Sequence, residues 1–211
     1  VDIFGKGVYS FSDAAKLVRL KPGRVREWFR GKTPVFHSSH DPLGTTFAIS
    51  FFDLVEVFVA GHLREHGVSL TTVRKVHDRL RSDFRTPHPF ARKELLTDGQ
   101  EVFVRGIDKH GEEEIYEALT KQKAFPKLIL PFLKQIDYGQ VSELADRWNI
   151  SDGVAIDPRL SFGQPVLTQF GIPTYLIAAE YHANGADAEK VAGWYRITSS
   201  AVMDAVRFEK E

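Results

Sequence analysis

The sequence contains no cysteine, which excludes disulfides, thiolate metal sites and cysteine nucleophiles. It holds a single methionine, and none of its apolar runs approaches membrane-spanning length. No secretory leader pattern opens it, so the expected location is the cytoplasm. Neither sign of charge is in excess, because 28 Lys and Arg balance 28 Asp and Glu. A glycine-rich phosphate loop after a strand is missing, and no Ser/His/Asp set can be placed from spacing. No fixed-period repeat of the solenoid kind is present. With no catalytic residue, metal or cofactor to expect, the chain reads as a binding protein rather than an enzyme.

What is present is ordinary for a folded chain: 211 residues, 43% hydrophobic and 27% charged, enough for one to three compact units. The balanced charge conceals an asymmetry. Residues 1–93 hold 16 Lys and Arg against 9 Asp and Glu, and the remainder 12 against 19. A basic first half points towards a polyanionic partner.

Composition divides the chain into three regions. Residues 1–84 are helical, aromatic-rich and basic. Residues 85–150 form an α+β connector, with a linker or loop at Arg85-Thr86-Pro87-His88-Pro89-Phe90, a strand from Glu101 to Arg105 and a helix opened by Glu112-Glu113-Glu114. Residues 151–211 begin with extended segments and end in helices. The expected fold is mainly α with short β elements.

In the first region, Leu70, Val73, Val76, Leu80 and Phe84 recur at helical spacing behind Ser69, a natural N-cap. Ser50-Phe51-Phe52-Asp53 spells a capping box for a helix that Gly67 closes. Between them and the N-terminus, short extended pieces flank a turn at His40-Asp41-Pro42-Leu43-Gly44.

The functional signal lies earlier still. A helix-turn-helix needs a small residue where two helices touch, an apolar residue after the turn, and apolar anchors in the second helix. Ala15, Leu20, Val25 and Trp28 fill those roles. Ser12 can cap the first helix, and Pro22 suits the first turn of the second. Arg19 occupies the place where a turn glycine is common. At about 100° per residue, Gly23, Arg26 and Arg30 face away from Val25, Trp28 and Phe29, with Arg24 on the flank. Gly23 has no side chain to hold the backbone off DNA. Arg24, Arg26 and Arg30 are placed to meet base edges or phosphates, and Lys16 and Lys21 to meet phosphates.

Other constellations have plainer readings. His62-Leu63-Arg64-Glu65-His66 matches a zinc-protease pattern, but it sits at a helix end in a region whose positions are already accounted for. Three consecutive glutamates at 112–114 point in different directions and cannot converge on one metal. Phe51, Phe52, Phe58 and Trp28 have the spacing of core.

The order of these elements carries a resemblance. Tyr9 to Ala15, Val25-Arg26-Glu27-Trp28, an extended segment, Phe52-Asp53-Leu54-Val55 and Gly67-Val68-Ser69-Leu70 resemble the MerR-type winged helix-turn-helix over about the first 82 residues. The resemblance implies a dimeric transcription regulator whose second helix and wing touch DNA, with His37 and His40 in the wing.

A second resemblance covers roughly 153–209. Ile156-Asp157-Pro158 through Gly163-Gln164-Pro165-Val166, then Gly171-Ile172-Pro173-Thr174, Gly185-Ala186-Asp187 and Trp194-Tyr195-Arg196-Ile197 are similar to a small domain of VapB-type antitoxins. Gln169-Phe170-Gly171 stands where that family shows Gly-Thr-Arg. Together the two regions resemble the large, mycobacterial form of VapB antitoxins. That likeness implies a PIN-domain ribonuclease toxin as partner, operator DNA as ligand and a homodimer as the binding form. A MerR-like regulator sensing a small molecule is the rival reading. The C-terminal segment repeats the helix-turn-helix spacing at Ala192, Ile197 and Val202, but its second helix carries a mixed, partly acidic face suited to dimerisation or toxin contact.

Overall fold

The structure, a computed structural model, describes residues 5–40, 47–95 and 130–210. It is mixed α and β, as helix caps and short alternating segments in the sequence require. It divides into two compact units, one containing Val8–Ala145 and the other Asp146–Glu211. The expected strand at Glu101 to Arg105, the helix opened by Glu112 and the turn at 41–44 lie outside the described residues. Among the described residues, no helix is long and apolar enough to cross a membrane.

The first unit opens with α1 (Phe11–Leu17) and α2 (Pro22–Arg30). Ser10, not the expected Ser12, caps α1. Its hydroxyl accepts from the Asp13 amide, and the Asp13 carboxylate accepts in turn from the Ser10 amide. The reciprocal pair satisfies two donors that would otherwise face water alone. The longer helices α3 (Phe51–Glu65) and α4 (Leu70–Phe84) follow. The Ser50/Asp53 capping box opens α3 as expected. Gly67 closes it at φ +85°, with the Val68 amide bonded back to the Leu63 carbonyl. That conformation is one glycine adopts without strain.

Two features of this unit were not legible in the periodicity. The proline-rich stretch expected as a linker is core: Pro89–Ala91 forms a single 3-10 turn, and Phe90 is completely buried. It packs edge-on to Phe36 and His77, and its amide donates to Glu56 Oε1 at 2.8 Å. Proline tolerates the first turn of a helix because its missing N–H has no partner there. The second feature is a buried polar layer. Glu56 Oε2 lies 2.6 Å from His77 Nε2, with both side chains buried. Asp53 holds the Ser39 amide at 3.0 Å and hydroxyl at 3.1 Å, and that hydroxyl lies 2.9 Å from His88 Nε2. Buried polar groups are costly unless paired, so these contacts fix where loop 37–40 and the 3-10 turn dock. A short strand, β1 (Ile136–Tyr138), also belongs to this unit.

The second unit is a small sheet under three helices. β2 (Ala145–Ser151), β3 (Val154–Ile156) and β4 (Pro165–Leu167) run antiparallel in chain order. Trp148 faces Ile156, Val154 faces Leu167 and Ile156 faces Pro165. The turn between β2 and β3 uses Gly153 at φ +74°, where a Cβ would stand 2.6 Å from Asp204 Oδ2. α5 (Thr174–Ala183), α6 (Ala188–Tyr195) and α7 (Ser199–Lys210) cover the sheet, with α7 packed on α5, α6, β3 and β4. Leu167, Ile177, Val191, Val202 and Val206 form the core. Each such side chain contributes about 1.5–3 kcal/mol by leaving water.

Candidate functional site

The α1–α2 pair is built from its turn outwards. Ala14 and Ala15 are fully buried, and their small size lets α2 come close. Arg19 takes a left-handed conformation at φ 56°. This turns the chain so that the Leu20 amide donates to the Ala15 carbonyl at 2.8 Å. A non-glycine residue there costs roughly 1–2 kcal/mol, offset by the packing it permits. Leu20 then seats against Gly61 of α3, where an added Cβ would lie 3.3 Å from its Cδ1.

α2 presents two faces, as its sequence dictates. Val25, Trp28 and Phe29 are buried, with Phe29 between Phe11 and Phe36 at ring separations of 5.6 and 5.5 Å. Lys21, Gly23, Arg24, Arg26, Glu27 and Arg30 are all exposed, as is Lys16 on α1. The expected cations are therefore all exposed, with Glu27 the acidic residue among the exposed positions of α2. Two refinements come from geometry. The Arg30 guanidinium lies 3.8 Å over the Phe47 ring, so this arginine is held in place rather than loose. A Cβ on Gly23 would meet nothing within 4 Å, so folding does not demand glycine at that position.

Among the described residues, 33–40 contains no paired strand; Ile49 instead forms an antiparallel bridge with Tyr9. His37 is exposed but His40 is buried, drawn in beside Ser38, whose hydroxyl accepts from the His40 amide. Solvent reaches one of the two histidines.

His62 and His66 stand one helical turn apart at the end of α3. Each ring turns its Nδ1 to the carbonyl one helical turn back, Phe58 at 2.9 Å and His62 at 2.7 Å. His62 also meets the Phe132 ring at a tilt of 43°, with centroids 3.7 Å apart. Burial holds its imidazole below the ordinary value, against the raising effect of the Phe58 carbonyl. Among the described residues, no group of three or more His, Asp or Glu side chains could hold a metal.

Sequence reasoning missed Arg74. Helical spacing sets it off the apolar positions Val73, Val76 and Leu80 and so predicts a solvated side chain, yet its Nε donates to the Pro34 carbonyl at 3.2 Å and its Nη2 to both the carbonyl and hydroxyl of Thr33. No local pattern signals a bond across forty residues.

In the second unit, α6 and α7 make a similar pair. Asp187 caps α6, accepting from the Lys190 amide at 3.0 Å. Arg196 is left-handed at φ 54°, and the Ile197 amide donates to the Ala192 carbonyl at 3.0 Å. The outer side of α7 carries Ser200, Met203, Arg207 and Lys210, with Arg207 tied to Asp204 at 3.2 Å. Trp194 and Tyr175 are exposed. Asp157 sits between opposed influences: burial pushes its carboxyl up, but the bonds and charge of Arg159, with Arg147, hold it below the ordinary range.

Comparison with known proteins gives three findings. Residues 154–208 match a family described as a protein of unknown function, DUF433, the stretch whose motifs resemble the small VapB-type domain. The chain is 26% identical over 227 residues to the Mycobacterium tuberculosis (strain ATCC 25618 / H37Rv) protein named "Putative antitoxin VapB45", covering 96% of this chain and 94% of that protein. Its fold is shared with the crystal structure of Rv2018 from Mycobacterium tuberculosis at a TM-score of 0.80 and 25% identity, covering 96% of this chain and 99% of that one.

Proposed function

We propose that this protein is a cytoplasmic antitoxin that acts by binding rather than catalysis. It neutralises a PIN-domain ribonuclease toxin and, as a homodimer, represses its own operon. The observation that carries the reading is the near full-length likeness to a relative bearing an antitoxin name. A likeness confined to one end would support only a shared module. The exposed cationic side of α2 supports the DNA part. In this reading α1 and α2 are the helix-turn-helix of a MerR-like winged domain, and α2 is the recognition helix. Two copies set their recognition helices in successive major grooves about 34 Å apart. A bound toxin loses access to its RNA.

The test begins with the neighbouring gene product. Co-expression should yield a stable complex in which ribonuclease activity is suppressed. A gel shift with the protein's own upstream DNA should show binding that weakens steeply with salt, because phosphate contacts release counterions. Failure to co-purify, together with DNA binding that responds to a small molecule, would favour an effector-sensing regulator instead.

A further inference from the structure

The exit of α2 is held from two directions. Gly31 ends the helix, with its amide on the Glu27 carbonyl at 2.8 Å. A Cβ there would stand 2.6 Å from that oxygen, so this exit is shaped for glycine. It then folds back, and the Val35 and Phe36 amides both donate to the Trp28 carbonyl, at 2.8 and 3.1 Å. The carbonyls of Thr33 and Pro34 are taken by the Arg74 guanidinium. Arg74 itself is on α4, whose Val73, Val76 and Leu80 are buried in the core of the unit. A rigid helix thus grips the loop that leaves the recognition face.

We propose that Arg74 is a positioning residue for the α2 face, clamping its exit loop to α4 so that Arg26 and Arg30 keep their direction. This assignment rests on the DNA-binding reading. Base contacts need a side chain placed in both distance and angle, whereas attraction to phosphate needs only charge. Loosening the loop therefore weakens sequence-specific binding and spares the non-specific kind. The planar fork of guanidinium donors reaches three acceptors at once, which an ammonium on a flexible stem does not reproduce. Lysine at this position keeps the charge and loses the clamp.

The experiment compares Arg74→Lys and Arg74→Ala with the unsubstituted chain, using operator and scrambled DNA over a salt series. Both variants should bind operator about tenfold more weakly, roughly the loss of one base contact, with scrambled-DNA binding and the salt slope unchanged. If Arg74 touches phosphate instead, lysine will restore binding and alanine will lower the slope by about one, which overturns the proposal. Hydrogen exchange on the free protein gives an arm independent of DNA. The Val35 and Phe36 amides should exchange faster in both variants while the thermal midpoint of Arg74→Lys stays near that of the parent. Unchanged exchange beside intact operator binding overturns the clamp alone. Absence of operator binding by the parent overturns the DNA reading, and with it the role given to Arg74.

Discussion

The α1–α2 and α6–α7 pairs are two versions of one backbone solution with different outer surfaces. Ser10 and Asp187 cap their first helices. Ala15 and Ala192 sit at the close approach, and Arg19 and Arg196 turn left-handed. Leu20 and Ile197 donate back to those alanines, and Val25 and Val202 are both fully buried. Each correspondence falls at the same spacing. Beyond the core they part: α2 shows Gly23, Arg24, Arg26 and Arg30, while α7 shows Ser200, Met203 and an Arg207 already paired with Asp204. Packing rules specify the turn, but the charge left on the outer face decides which partner the pair can meet.

The strongest test of that contrast replaces Arg26 and Arg30 together by alanine. Two lost base or phosphate contacts at about 1–3 kcal/mol each should reduce operator affinity by roughly a hundredfold or more, measured by gel shift. Arg207 and Lys210 replaced together should leave it unchanged; equal losses would show that both pairs read DNA. Next come the shared anchors. Val25→Ala and Val202→Ala should each destabilise their own unit by about 2 kcal/mol through lost burial and a residual cavity, followed by hydrogen exchange in each unit. A large cost at one position only would break the structural equivalence.

A smaller effect is expected at the turns. Arg19→Gly and Arg196→Gly should each stabilise by up to about 1 kcal/mol, because glycine adopts positive φ without the Cβ clash. Gly23→Ala separates the two roles further. It should raise stability by no more than about 0.5 kcal/mol, since Gly23 lies in the first turn and alanine's full advantage belongs to a helix interior, yet weaken operator binding by filling the space next to the backbone.

Acid should distinguish the units most gently. Burial lowers the His62 pKa in the first unit, so its contribution is present above the unfolded value near 6.5 and is lost as pH falls through the lower folded value. In the second unit, Asp157 is held below its ordinary value by Arg159 despite burial. Its contribution persists above the carboxylate range and is lost only as pH falls through its depressed folded value. Glu94, lowered by its bond to Arg92, adds a similar late loss to the first unit. Thermal scans from pH 7 to 3 with exchange readouts should show the first unit weakening earlier.

Much of the local structure was legible before any coordinates. Ser50, Asp53 and Gly67 announced the ends of α3, and the spacing of Val25, Trp28 and Phe29 oriented α2 so that its cations faced out. Composition misread Pro87 to Phe90, because a proline-rich string looks like a linker unless one knows that Phe90 fills a hole between α3 and α4. The same limit hid Glu56 and His77, each unremarkable on its own helix and costly unless brought together.

The sequence by itself determined where α3 begins and ends, the shared spacing of both helix turns and the sign of the charge on α2. These depend on residues within a few positions of one another, where caps, glycine and helical period act. Only the tertiary structure decided that Asp53 also holds Ser39, that Arg30 rests on Phe47 and that Arg74 grips Thr33 and Pro34. Such contacts join segments whose separation is set by how the whole core packs, and a hydrogen-bonding side chain carries no local mark of the partner it will find.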